Sequence, residues 1–194
     1  NKGGVIKLNL ELMQIEDIYN SQNTSTLGGF NGVFNSNLSS NYTVINDIKL
    51  FNDRIWIVNP FNELYGDVVS KHNLNTNYWS GVNVSSSSSS SDMSSLYNPQ
   101  SITFDRFGTP WISFSYTYTS GSSGQIYSYG GIRYVNANNQ FQSVNNDDIL
   151  IGGQNSDIWS INICEYNNLD ILWVLSSDGV QGYTIQDKIL SPIL

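Results

Sequence analysis

A single histidine, His72, and a single cysteine, Cys164, are the chain's only candidates for chemistry by imidazole or thiolate. A Ser-His-Asp triad would have to use His72 as its base, because the hydroxyl needs a neighbouring proton acceptor. Clustered histidine metal sites, cysteine-built zinc sites and internal disulfides are excluded by the counts alone. His72 follows the alternating stretch Val68-Val69-Ser70-Lys71, which predicts an exposed strand residue and not a base. Cys164 ends the run Ile161-Asn162-Ile163, which predicts a small buried hydrophobe.

The carboxylates offer little more. Asp53, Asp105, Asp147, Asp148, Asp170 and Asp178 sit in turns. Oxygen-rich loops can hold calcium, and Asn145-Asn146-Asp147-Asp148 is the best such cluster. No Asp-x-Asp-x-Asp-Gly loop accompanies it, and Asp and Asn are ordinary turn formers. A glycosidase needs two carboxyl groups roughly 5–10 Å apart across a cleft, and Glu11, Glu16, Glu63 and Glu165 occupy no distinctive motif. Gly28-Gly29-Phe30-Asn31-Gly32 lacks the lysine of a phosphate-binding loop. The expectation is therefore no catalytic set, no metal and no cofactor.

Aromatic side chains are the more suggestive group. Tyr116, Tyr118, Tyr127 and Tyr129 cluster among Ser and Gly, and Tyr78-Trp79 precedes the serine run 85–91. Rigid aromatic area beside adaptable hydrogen-bonding residues suits contact with a protein or a glycan. Tyr116, Tyr118, Tyr127, Tyr129 and Trp79 are accordingly the candidate binding residues. The competing reading makes the alternate tyrosines strand residues that pack on a sheet. Sequons at Asn23, Asn37, Asn41 and Asn83 matter only in a eukaryotic secretory pathway.

Composition bounds what must position these groups. Among 194 residues there are 26 Asn, 29 Ser and one Ala, with 13% aromatic and 12% charged residues and a net charge of −8. Long helices would want Ala, Glu, Lys and Leu. Nucleic-acid binding would want a basic face, which eight cations spread along the chain do not supply. The aromatic content gives ample surface to bury, against disorder. No apolar run is long enough for a membrane helix. Low Lys and Cys with abundant Asn and Ser point weakly to an extracytoplasmic setting. The chain opens at Asn1 without a leader, so a trimmed or partial chain is expected.

Hydrophobic patterning is that of strands throughout. Ile6 to Leu10 and Ile45 to Leu50 alternate, while Ile55–Val58, Trp111–Phe114 and Ile171–Leu175 are short apolar runs bounded by Asn, Asp, Gly and Ser. The best helix candidate, Leu10 to Tyr19, has only a loose helical period, and the whole chain is read as β.

Three segments align on a tryptophan, at Trp56, Trp111 and Trp173, spaced by 55 and 62 residues. Each has an alternating strand, a polar turn, and a strand entered through Trp. A third strand follows each: 66–71, 130–135 and 178–183. Gly3 to Leu8 resembles this third strand without its upstream partners. Repeated antiparallel units of roughly 40–50 residues with variable loops are the mark of a β-propeller. Four-stranded antiparallel blades are therefore expected at 42–80, 99–143 and 158–194, with 1–15 ending an earlier blade, all in one domain. Trp56, Trp111 and Trp173 are expected as structural anchors wedged between blades, where an aromatic side chain buries a large area.

At Phe104-Asp105-Arg106-Phe107-Gly108-Thr109-Pro110-Trp111-Ile112 and Leu172-Trp173-Val174-Leu175-Ser176-Ser177-Asp178-Gly179-Val180 the sequence resembles the repeats of the two-component regulator propeller family. The first unit departs, since Asn52-Asp53-Arg54 lacks the glycine and Asp67-Val68 replaces the Gly-Gly pair. The stretch Trp56 to Glu63 is similar to the surface propeller protein of the type IX secretion system. The resemblance implies a sensor or docking domain outside the cytoplasm, with no transferable catalytic or binding residues.

Three units and a piece fall short of the usual ring of about six to eight blades. A segment of a larger propeller is expected, with the remaining blades as its partners. The alternative is a four-bladed ring in which the N-terminal strands close against 179–193. The functional expectation is a non-enzymatic binding or docking scaffold with a protein or glycan ligand, no nucleic acid and no membrane insertion. The alternative is a carbohydrate-active or lyase-type enzyme on the same fold, because function resides in loops that vary freely.

Overall fold

The computed structural model describes residues 4–24, 43–60, 67–83, 98–121, 124–144, 147–153 and 156–193. It is all-β. The phosphate-loop candidate at 28–32, the serine run 85–91, Glu63, and the Asn145-Asn146 half of the calcium candidate lie outside the described residues.

Three four-stranded antiparallel sheets carry the fold. The first contains β3 (Asp47–Phe51), β4 (Arg54–Val58), β5 (Asp67–Asn73) and β6 (Tyr78–Asn83). The middle sheet contains β7 (Pro99–Phe104), β8 (Pro110–Phe114), β11 (Gly131–Val135) and β12 (Phe141–Ser143). The third contains β13 (Ile158–Tyr166), β14 (Leu169–Ser176), β15 (Gly179–Gln186) and β16 (Ile189–Pro192). In each, neighbours in sequence are neighbours in the sheet. Two hairpins stand apart: β1 (Val5–Asn9) with β2 (Gln14–Tyr19), and β9 (Thr117–Gly121) with β10 (Gly124–Ser128). The tyrosine-rich segment is thus a hairpin ribbon inserted between β8 and β11. The only helical pieces among the described residues are single turns at Ser21–Thr24 and Asp147–Ile149.

The turns explain why the chain is so rich in asparagine. Two-residue hairpin turns twisted to match their strands need positive φ at both central positions, which Asn and Asp tolerate best. Asn52-Asp53, Asn167-Asn168 and Asp187-Lys188 supply three of them. A different turn joins β1 to β2 and β5 to β6. In both, an Asn side chain accepts two backbone N–H groups: Asn9 from Glu11 and Leu12, and Asn73 from Asn75 and Thr76. In both, the turn then closes through a positive φ, at Met13 and at Asn77. The matching turns make β1–β2 the counterpart of the last two strands of a four-stranded sheet.

The sheets stack face to face, with the middle one covered on both sides. Every residue of β8 is buried. One core lies between the first and middle sheets and includes Trp56, Val58, Val69, Ile102, Ile112 and Phe114. The other, between the middle and third sheets, includes Trp111, Ile132, Ile158, Leu172, Val174 and Tyr183. Each such side chain contributes roughly 1.5–3 kcal/mol on burial. The β1–β2 hairpin covers part of the first sheet's other face through Val5 and Tyr19, against Ile57 and Trp79.

Leading strands β3, β7 and β13 lie side by side, joined by side chains. Asp47 Oδ2 accepts the Ile102 N–H at 2.9 Å, and Asn46 Nδ2 donates to the Pro99 carbonyl at 2.8 Å. Ser101 Oγ donates to the Ile161 carbonyl at 3.2 Å, and Thr103 Oγ1 accepts the Ile163 N–H at 3.1 Å. The last hairpin of a sheet reaches back to the sheet before it. Asn139, in the β11–β12 turn, donates to the Gly81 carbonyl and accepts from Lys71. Lys188, in the β15–β16 turn, donates to Asp105 Oδ2 at 2.5 Å and to Thr109 Oγ1 at 2.8 Å.

The two lone reactive residues are not where their local patterns place them. His72 is 3% exposed, because the β1–β2 hairpin covers its face of the first sheet. Its ring stacks on Trp79 at 4.4 Å, meets the edge of Tyr19 at 5.3 Å, and shares a hydrogen bond through Nε2 with Asn77 Oδ1 at 2.8 Å. Cys164 is exposed, because it lies on the outer face of the third sheet.

Candidate functional site

Two concave features can be built from the described residues. The larger, about 440 Å³, lies between the β7–β8 turn and the edge of the third sheet. Four of its five charged residues pair off, Lys188 with Asp105 and Arg106 with Asp170 at 3.3 Å, while Asp187 is exposed. Asp105 also accepts the Trp111 indole N–H at 3.1 Å and the Thr109 N–H at 2.8 Å. Burial alone would raise the Asp105 carboxyl; the hydrogen bonds from Lys188, Thr109 and Trp111 outweigh it and hold the group below its ordinary value. The Lys188 ammonium also lies 5.3 Å from the centre of the Trp111 ring. With two ion pairs formed across it, this cleft is a joint between sheets.

The second feature is a groove of about 390 Å³ running across the leading strands of all three sheets. The first sheet contributes Asn46, Asp47 and Lys49 from and beside β3; the middle sheet contributes Gln100 and Ser101 of β7; the third contributes Trp159 to Asn162 of β13. Asn46, Asp47 and Ser101 are occupied in joining the strands. Lys49, Ser160 and Asn162 are exposed and have no hydrogen-bond partner among the described residues, and the same holds for Gln100 Oε1. Trp159 is 49% exposed, with its indole N–H bonded to Asp157 Oδ2 at 3.0 Å. A register irregularity between Ile158 and Ser160 sets this ring apart from the alternation of β13. The result is a polar floor with one oriented aromatic face.

The residues expected from sequence to bind are scattered. Trp79 is 3% exposed and packs against His72 and Tyr19; it is a core residue of β6, and its expected binding role is corrected on that ground. Tyr116 is half exposed, just after β8, and Tyr129 is half-buried. Tyr118 and Tyr127 face each other as backbone partners in the β9–β10 hairpin, and their side chains lie outside the described residues. Trp79, Tyr116 and Tyr129 are not among the described residues lining the groove.

The expected anchors divide. Trp56 and Trp111 are buried between sheets. Trp173 is 45% exposed, so it is not wedged between two described sheets. Its strand position explains why. Trp56 faces the middle sheet and Trp111 faces the third. Leu172 and Val174 point back into the core, so Trp173 between them points away from it. All three rings face the same way along the stack, and no described sheet lies beyond the last. Trp173 lies over Gly182, where an added Cβ would approach the ring to 3.2 Å.

Sequence inspection missed the groove. Its residues come from three strands far apart in the chain, and only the exposed position of Trp159 could have suggested it. The chain matches no family model and no curated protein.

Proposed function

We propose that the chain is a non-enzymatic binding or docking scaffold made of consecutive β-propeller blades. One observation carries the proposal: Trp56, Trp111 and Trp173 occupy second strands and face the same direction along the stack. That directionality is what a repeated unit produces when each sheet seats its neighbour. The uncovered face beyond Trp173 also carries Leu175 and Val180, 39% and 62% exposed. A further four-stranded sheet of the same kind fits this face, as the third sheet fits the face that carries Trp111. The β1–β2 hairpin supports the same proposal from the other end, because its turn repeats the β5–β6 turn.

The resemblance to two-component regulator propellers and to the type IX secretion surface propeller adds an extracytoplasmic address to the proposal. A sensor ectodomain or a secretion-system surface component is the role it implies. Binding falls to the groove across the leading strands, which offers uncommitted polar groups.

The test pairs a glycan and peptide binding panel with a hydrolysis and elimination assay on the same compounds. Saturable binding without turnover supports the scaffold. Turnover that survives purification overturns the non-enzymatic part. For the blade part, light scattering should show self-association of the protein that Trp173→Ser reduces; a clean monomer with unchanged behaviour in that variant overturns it.

A further inference from the structure

We infer that the groove across β3, β7 and β13 binds a neutral carbohydrate, with Trp159 as the platform for a sugar ring. The inference rests on the scaffold proposal and deepens it by naming the ligand class and the residues.

Three observations lead to it. The first is the mixture of surfaces. A pyranose has an apolar C–H face and a rim of hydroxyl groups, so its site needs a flat aromatic face beside donors and acceptors. Trp159 supplies the face and is half exposed. Lys49 and Gln100 supply polar groups with capacity left over, an Nζ donor and an amide carbonyl acceptor; Ser160 and Asn162 stand opposite Leu175 and Trp173, on the face proposed for a further sheet.

The second is preorganisation. Holding the indole N–H on Asp157 Oδ2 limits rotation of the ring before any ligand arrives. The strands beneath are joined to each other by Asp47, Asn46 and Ser101, which keeps the floor in register. Less ordering is then left to pay on binding.

The third is charge. The lining holds one cation, Lys49, and one anion, Asp47, whose carboxylate accepts the Ile48 and Ile102 N–H groups. The groove is close to neutral in a chain of net charge −8. A polyanion such as a nucleic acid or sulfated glycan would be repelled by the chain's net field. An uncharged ligand meets no such penalty. An extended peptide adds along a single sheet edge, whereas the groove crosses the edge strands of three separate sheets.

The experiment titrates the protein with neutral oligosaccharides: cello-, chito-, manno- and xylo-hexaose. Isothermal calorimetry and tryptophan fluorescence are the readouts, with a hexasulfated glycan and an extended Ser/Asn peptide as comparators. At least one neutral hexaose should bind saturably with a change in indole emission. Trp159→Ala should weaken it by about tenfold or more, the loss of one stacked aromatic contact. Trp159→Phe should restore part of the affinity, and Gln100→Ala should weaken binding without altering the near-ultraviolet circular dichroism. Trp173→Ala, on the far face of the third sheet, should leave affinity unchanged. Absence of binding to every neutral hexaose overturns the inference, as does binding that Trp159→Ala and Gln100→Ala leave intact. Saturation by the peptide or the sulfated glycan alone overturns it in favour of that class. Those outcomes leave the stacked blades standing. Conversely, release of reducing ends from a bound hexaose would sink the non-enzymatic scaffold and keep the sugar site.

Discussion

Trp111 and Trp173 point in the same direction from the second strands of adjacent sheets, yet Trp111 is fully buried and Trp173 is 45% exposed. The difference lies in what stands in front of each ring. The third sheet covers Trp111 with Ile158, Leu172 and Tyr183, and no described element covers Trp173.

Replacing Trp111 by Ala should therefore cost on the order of 3–5 kcal/mol, through lost transfer energy and the cavity left behind. Replacing Trp173 by Ala should change stability by about 0.5 kcal/mol or less. Urea unfolding followed by circular dichroism measures both. Equal losses in the two variants would contradict the burial difference.

Asp105 joins the middle sheet to the third. Its carboxyl lies below its ordinary value, which for a model carboxylate is about 3.9. A depressed carboxylate stabilises the fold fully above that ordinary value, and the contribution is lost as pH falls through the folded one. Acid should thus weaken the wild type below about pH 4. Asp105→Asn should be less stable at pH 7 and show a shallower loss on acidification. Urea midpoints at pH 7 and pH 3 give the comparison.

Lys188→Met removes the cation but leaves the buried carboxylate with Thr109 and Trp111 as donors. The expected cost is on the order of 2 kcal/mol, less than for a fully buried pair because the ammonium remains partly in water. The double variant Asp105→Asn/Lys188→Met should recover part of the loss. Additive losses in this cycle would mean that the two side chains do not act together.

Gly108 closes the β7–β8 turn at φ +80, and an added Cβ would come within 3.0 Å of the Phe51 ring. That ring stacks on Phe104 at 4.3 Å. Gly108→Ala combines left-handed strain with pressure on this stack and should cost about 1–3 kcal/mol. Thermal unfolding by calorimetry reads the effect.

Tyr19 carries the contact of the β1–β2 hairpin with His72 and Trp79. Tyr19→Ala should release the hairpin while leaving the three sheets intact. Hydrogen exchange should speed up in Val5–Tyr19 and at the β5–β6 face beneath, with little change in β8. Uniform loss of protection would instead mean that the hairpin folds as one unit with the sheets.

The leading three strands of each sheet were legible because alternation, β-branched residues and Asn- or Asp-rich turns act locally. The closing strands β6, β12 and β16 were not assigned. They are short, and Phe141–Ser143 has only three residues, too few to show a period. Trp79 is consequently expected among the binding aromatics, whereas it is a buried residue of β6.

Strand geometry puts Leu172 opposite Trp173 and Ile163 opposite Cys164. It could not say which faces would be covered, because coverage depends on a second sheet contributed by residues far along the chain. His72 is buried by a hairpin more than fifty residues upstream, while Cys164 and Trp173 stay exposed because no described sheet lies over their face. The groove is likewise a product of stacking alone. Asn46, Gln100, Trp159 and Asn162 come together only when three leading strands pack side by side, and no spacing within one strand encodes that approach.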